Sequence, residues 1–432
     1  MDLNTLMFLT LLGMISAIIL GVHIAIALGL TALIGTFIIF GSLDLATFML
    51  GAAAYDALRD ELFATIPLFV LMGDFVAKSG AARDLYKLVN RGLARIPGRL
   101  AVATVIGNAI FAAVTGVSIA AAAAFSRIAY PQMQRYGYRR TFALGSIAGS
   151  ASLGMLIPPS ILLIIWGIVT EISIGKLFIA GILPGLVLAS LFIAYSIIAA
   201  IRDPSIAPSV PEGEEEEFEL AEIISGFGIL GLMALVLGGI WGGIFTSTEA
   251  AGIGALGAMV LGIVKGMRWR GISQAIIDAG RTAAPIMFLI LTAAMYSRFL
   301  ASGGIISVIQ DTLTSVGFGA FGIYMVMVLI WLLLGMILDS ASIILLTVPI
   351  FWPVAEALGF NDLAFAIFGI LAIEAGLLTP PLGLLVYTVK GAIPEVSLGE
   401  IFRGSIPYWL LMLVAMSLVW IFPGLASWLP SL

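Results

Sequence analysis

Two short polar stretches interrupt runs that are otherwise apolar. Thr115-Gly116-Val117-Ser118 lies in the middle of 101–126, and Asp339-Ser340-Ala341-Ser342 lies in the middle of 320–355. Each is followed by a second interruption, Gly154-Met155-Leu156-Ile157-Pro158-Pro159 in one case and Gly376-Leu377-Leu378-Thr379-Pro380-Pro381 in the other. Proline has no backbone N–H and restrains the residue before it, so a helix breaks at such a pair and its carbonyl oxygens lose their partners. Hydroxyls, unwound carbonyls and one carboxylate make an all-oxygen donor set, which suits a hard monovalent cation such as sodium. The spacing predicts two cation sites. One draws on Thr115, Gly116, Ser118, Gly154 and Ile157, the other on Ser340, Ser342, Gly376 and Thr379. For either break alone, a Pro-kinked helix packed on small residues is an equally good account. Two breaks in register, each paired with a polar tetrad, favour the sites.

Charged side chains inside apolar spans are costly, so each is a candidate for function. Asp339, Arg298 and Glu374 are the deepest. Asp339 sits in a polar tetrad and is expected to bind substrate or ion, or to gate. Arg298 could oppose an anionic substrate or snorkel to the nearby interface, while Glu374, two residues before the second break, could pair locally. With no Cys and a single His, His23, the chain lacks disulfides, thiolate chemistry and His-rich metal centres. No Ser/His pair, paired catalytic Asp or HExxH is present. The sequence therefore shows no catalytic residues and asks for no cofactor beyond the coupling ion.

The elements that hold these residues must be membrane helices. The chain is 61% hydrophobic and 10% charged, with a mean hydropathy of +1.16, which makes lipid its main solvent. Full crossings are expected near 5–21, 24–42, 62–78, 141–169, 177–200, 223–245, 249–264, 283–300, 363–389 and 406–424. The fold class is an all-α polytopic membrane protein with about ten spanning helices. Met1-Asp2-Leu3-Asn4 lacks a basic n-region, so the first apolar segment is expected to remain as a span.

Basic residues flank 101–126 on both sides, which a single crossing could not satisfy under the positive-inside tendency. That stretch is read as a re-entrant hairpin entering from the cytoplasm. The stretch 320–355 has no Lys or Arg near it and is read as a second hairpin from the opposite side. With these assignments every Lys and Arg except Arg59, Lys176 and Arg298 is cytoplasmic. Residues 79–99 carry Arg83, Lys87, Arg91, Arg95 and Arg99 at i, i+4 spacing, the pattern of an interfacial helix. Residues 202–222 form a Glu-rich cytoplasmic linker, read as a solvated loop, that separates a first half, 1–201, from a second, 223–432.

The halves repeat. One constant shift superposes Ser118 on Ser340, Pro131 on Pro353, Gly137 on Gly359, Gly154 on Gly376, Pro158 on Pro380 and Pro159 on Pro381. Two further residues of offset bring Ser173-Ile174-Gly175 onto Ser397-Leu398-Gly399. An odd number of crossings per half inverts the second half in the membrane, as in many secondary transporters. The broken helices are 141–169 and 363–389.

These residues resemble the large membrane subunit of tripartite ATP-independent periplasmic (TRAP) transporters. The resemblance rests on Ile66-Pro67-Leu68-Phe69-Val70-Leu71-Met72-Gly73, Thr115 to Ser118, Gly154 to Pro159, Gly242-Gly243-Ile244-Phe245-Thr246-Ser247-Thr248-Glu249-Ala250-Ala251, and Gly376 to Pro381. It departs at Val117, where the family usually has a small residue. The resemblance implies an elevator mechanism in the ion transporter superfamily, sodium-coupled symport, and uptake of an organic anion, a carboxylate or sialic acid, across a bacterial or archaeal inner membrane. It also implies a small four-helix membrane subunit and a periplasmic substrate-binding protein as partners, alongside the lipid bilayer and without nucleic acid. Only two short spans are expected before Ile66, so the small subunit is expected on a separate chain. The alternatives are a stand-alone sodium-coupled di- or tricarboxylate symporter of the same superfamily and, further off, an intramembrane enzyme.

Overall fold

The computed structural model describes residues 3–209, 220–308 and 319–432, and every regular element among them is helical. Local capping explains many of the boundaries. Ser42, Ser160 and Asn361 each accept a hydrogen bond from an amide in the first turn of the helix they start. Ser173 and Ser397, matched by the repeat, do the same work: each caps a long helix, Ile174–Arg202 and Leu398–Ile421, by accepting from the amide three residues on. Gly137 and Gly359 also have one role in two places. Both follow a hairpin arm with φ of 72° and 71°, a conformation that glycine adopts without steric cost.

The described elements on either side of the linker 202–222 can be set side by side in chain order. The first half runs through a hairpin, Arg99–Thr115 and Ser118–Arg135, a broken helix, Arg140–Ala151 and Ile161–Thr170, and the long helix Ile174–Arg202. The second runs through Gly319–Gly335 and Ser340–Ala357, then Asp362–Gly376 and Leu384–Ala392, then Leu398–Ile421. Pro131 and Pro353 both lie inside the second arm of their hairpin.

The halves interlock. The second arm of each hairpin packs on the helix beyond the break of the other half: Ser340–Ala357 on Ile161–Thr170, and Ser118–Arg135 on Leu384–Ala392. Leu398–Ile421 crosses Arg140–Ala151 so closely that a Cβ on Gly145 would lie 2.0 Å from the Gly404 carbonyl oxygen. Trp166, Trp331 and Phe365 fill the centre, with ring centroids 5.6 to 6.0 Å apart, and Gly369 leaves room for both indoles. Around this core, Thr65–Ser79 packs on Ser247–Val264, and Ile24–Phe40 on Trp269–Ser302.

Seven of the described helices are long and apolar enough to cross a membrane, and several shorter apolar ones accompany them. The chain is a multi-pass membrane protein. Three features differ from the hydropathy reading. A helix not anticipated there, Leu43–Arg59, lies between Ile24–Phe40 and Thr65–Ser79; Asp44, Asp56 and Arg59 hide it from a hydropathy count. The span expected at 283–300 is the end of a 34-residue helix, Trp269–Ser302, whose first turns carry Arg270, Asp278 and Arg281. The basic helix expected at 79–99 is Ala81–Gly92, and Arg99 begins the next helix. Its acidic residue is tied to the second half, since Lys265 pairs with Asp84 at 2.5 Å. Of the acidic linker 202–222, positions 210–219 lie outside the described residues.

Candidate ion site at the hairpin tips

The first hairpin turns at Gly116 and Val117. Gly116 has φ 64° and donates from its amide to the Ala112 carbonyl at 2.7 Å, which ends the first arm. The first broken helix approaches this turn directly. Its 3-10 turn, Ser152–Met155, runs into two buried prolines joined by a cis bond, and Ser160 restarts the helix by donating to the Met155 carbonyl and accepting from Leu163. A Cβ on Gly154 would lie 2.7 Å from Ala112 Cβ and 3.6 Å from Ser118 Cα, and one on Gly116 would lie 3.1 Å from the Pro159 carbonyl oxygen. Hairpin tip and break are therefore in contact through main chain. Thr115 and Ser118 are buried there, and neither hydroxyl makes a well-formed hydrogen bond among the described residues. Asn108, missed in the sequence reading, fixes the first arm to the broken helix by donating to Ser150 Oγ at 2.7 Å. Its only signal is one amide in an apolar run.

The second tip repeats the contact with different chemistry. Gly335 and Gly376 touch: a Cβ on either would lie 2.7 Å from the other's Cα. The Gly383 amide faces the Met336 carbonyl at 3.4 Å, as the Ile161 amide faces that of Gly116 at 3.4 Å in the first half. Here the hydroxyls already donate within the chain. Ser340 donates to Glu374 Oε1 at 2.7 Å, Ser342 to Asp339 Oδ2, and Thr379 to the Ala375 carbonyl at 2.8 Å. Thr379 is half-buried and Pro380 and Pro381 are exposed, whereas the first break is enclosed almost throughout.

The three deep charges part ways. Asp339 is the N-cap of Ser340–Ala357: it accepts from the Ser342 amide at 3.1 Å as well as from the Ser342 hydroxyl. Arg298 is exposed near the end of Trp269–Ser302, a helix that packs chiefly on Ile24–Phe40, Leu43–Arg59, Thr65–Ser79 and Ser340–Ala357. Glu374 alone is fully buried, between Ser340 and Ser118. A separate cavity of about 480 Å³ is lined by Asp60, Glu171, Ser173, Thr246 and Ser247 among others; two carboxylates on its wall make it a poor seat for an anion.

Comparison with known proteins decides the family. Residues 11–425 match the family described as "Tripartite ATP-independent periplasmic transporter, DctM component". The chain belongs to the DctM family. Among curated relatives, it is 34% identical over 369 residues to the C4-dicarboxylate TRAP transporter large permease protein DctM of Pseudomonas aeruginosa, covering 85% of each chain. It is 30% identical over 434 residues to the ectoine TRAP transporter large permease protein TeaC of Halomonas elongata, covering 100% of this chain and 99% of that one. It is 26% identical over 418 residues to the isethionate TRAP transporter permease protein DctMQ of Oleidesulfovibrio alaskensis, covering 94% of this chain but 64% of that protein. The crystal structure of the Alcanivorax borkumensis YdaH transporter shares its fold, with a TM-score of 0.62 at 16% identity over 90% of this chain and 91% of that one. As a DctM component the chain is a transporter permease and not an enzyme.

Proposed function

We propose that this DctM component is the sodium-coupled transport subunit of a binding-protein-dependent system, importing a small organic anion across the cytoplasmic membrane of a bacterium or archaeon. The observation that carries the reading is the pair of hairpin tips, each seated on a helix break, in two interlocked halves. Non-helical backbone at membrane depth requires protein or a wet cavity around it, and such breaks supply the oxygens that replace a sodium ion's water shell. In this reading the halves 1–201 and 223–432 are inverted repeats joined by the linker 202–222. The hairpins are re-entrant, and hairpins and broken helices move together as an elevator against the surrounding helices. One sodium lies between Thr115 to Ser118 and Gly154 to Ile157, the other between Ser340 to Ser342 and Gly376 to Thr379. Asp339 shapes the second tip through its cap, and Arg298 is left outside the site.

The word "tripartite" in the family description supports two partners, a small membrane subunit and a periplasmic binding protein. The DctMQ relative adds weight, because this chain covers 64% of it and leaves room for a further membrane part. In this reading selectivity lies largely on the soluble partner, which fits similar permeases named for substrates as different as a C4-dicarboxylate and ectoine. The test is uptake into proteoliposomes of labelled succinate, sialic acid and ectoine under an inward sodium gradient. Uptake of one of them is expected only with both partners present, and none with choline replacing sodium. Full uptake by this chain alone would favour the stand-alone symporter, and uptake indifferent to sodium would overturn the coupling.

A further inference from the structure

Glu374 is 1% exposed and has an oxygen to spare. Its Oε1 accepts from Ser340, while Oε2 is buried without a well-formed hydrogen bond among the described residues. Ser118 stands beside the same carboxylate, and its Oγ is likewise buried with no well-formed hydrogen bond among the described residues. Ser118 and Ser340 are repeat equivalents, each the first residue of its hairpin's second arm, so one carboxylate sits between the same position of the two halves. The position that the repeat matches to Glu374 in the first half is Ser152, which donates to the Gly149 carbonyl. The carboxylate is thus a single, asymmetric feature. None of the described Lys, Arg or His side chains pairs with it. A buried carboxylate without a countercharge is costly, and two neighbouring orphan oxygens add to that cost.

We propose that Glu374 is the charged ligand of a monovalent-cation position at the seam where the two tip sites meet, with Ser118 of the first tip and Ser340 of the second as its neutral ligands. A cation there meets Glu374 Oε2 and the Ser118 oxygen together, two buried oxygens left without a well-formed hydrogen bond among the described residues. The site deepens the sodium-coupled reading and rests on it. It links the tips: an ion held by Glu374 fixes Ser118 of one half against Ser340 of the other.

The test is binding of radiolabelled sodium to the full chain in lipid nanodiscs, with choline as the balancing cation. Glu374→Gln keeps the shape and the Ser340 contact but removes the charge. It is expected to raise the Kd for sodium by about tenfold or more, a change of about 1.4 kcal/mol, while Glu374→Asp falls between. Ser118→Ala removes no well-formed hydrogen bond among the described residues, so it remains informative even if Glu374→Gln fails to fold; a Kd about 5-fold higher is expected from a lost ligand at such an energy scale. Wild-type sodium affinity in Glu374→Gln, or in Ser118→Ala should the Gln variant not fold, overturns the proposal. If Glu374→Gln binds sodium normally while wild-type uptake still requires sodium, the coupling stands and this site falls. If the wild-type chain binds no sodium, both fall.

Discussion

Ser340 donates its hydroxyl to Glu374 at 2.7 Å, whereas Ser118, its equivalent in the other half, lies beside the same carboxylate with its hydroxyl unspent. Two residues that the repeat makes interchangeable are therefore energetically different, and substitution separates them. Ser340→Ala strands a buried carboxylate oxygen and is expected to lower stability by about 1–3 kcal/mol, while Ser118→Ala removes no bond and is expected to be near neutral. Both are expected to raise the sodium concentration for half-maximal uptake about 5-fold, by the ligand energies used above. Thermal unfolding in choline, alongside sodium titration of uptake, reads the two effects apart. Equal destabilisation by both variants would contradict the asymmetry.

The contact between the first tip and the first break is a small-residue fit. Gly154→Ala puts a methyl group 2.7 Å from Ala112 Cβ, and overpacking of this kind costs about 1–3 kcal/mol. Ala112→Gly opens the same space, so the double variant is expected to recover both stability and uptake. Gly376→Ala meets the Gly335 main chain instead, where no side chain can be trimmed, and its loss is expected to resist rescue. A double-mutant cycle on unfolding temperature checks both statements.

Asp339 is expected to behave as a cap. Asp339→Asn keeps an oxygen for the Ser342 amide and is expected to leave the sodium dependence of uptake within about 2-fold, since Asn and Asp are comparable caps. Asp339→Ala is expected to cost about 0.5–2 kcal/mol. A loss of sodium dependence in Asp339→Asn with unchanged stability would restore Asp339 as an ion ligand.

The inverted reading predicts that the C-terminal ends of the two hairpins face opposite sides. The chain has no native cysteine, so Arg135→Cys and Glu356→Cys give clean single labels, and both positions are exposed. Gly359 is avoided because its positive φ penalises a side chain. An impermeant maleimide added outside cells is expected to label position 356 and spare position 135. Labelling of both from one side would remove the inverted arrangement.

Much of the local geometry was legible because it is written in residues with few conformational alternatives. Pro158-Pro159 and Pro380-Pro381 mark the breaks, Gly116 marks the first turn, and the repeated Ser173 and Ser397 are repeated helix caps. Leu43–Arg59 was illegible because hydropathy averages over a helix and Asp44, Asp56 and Arg59 cancel its apolar face. The fate of the three deep charges could not be read from depth alone. Asp339 is consumed by a cap, Arg298 turns outward, and Glu374 acquires its setting only when Ser118, distant in sequence, is folded beside it. Sequence separation hides such a meeting.

The interlocking of the two halves bears on how the protein is made. Trp166 is fully buried, yet its socket is built from Trp331, Phe365 and Gly369. All three are synthesised more than a hundred residues after it. During translation the first half must therefore wait in the bilayer with its central indole uncovered and the first hairpin's second arm without the Leu384–Ala392 helix that supports it. Lipid can cover the indole in that interval, but not the polar main chain of the open break. The nascent chain thus needs either water or a chaperoning insertase at that spot until its other half arrives.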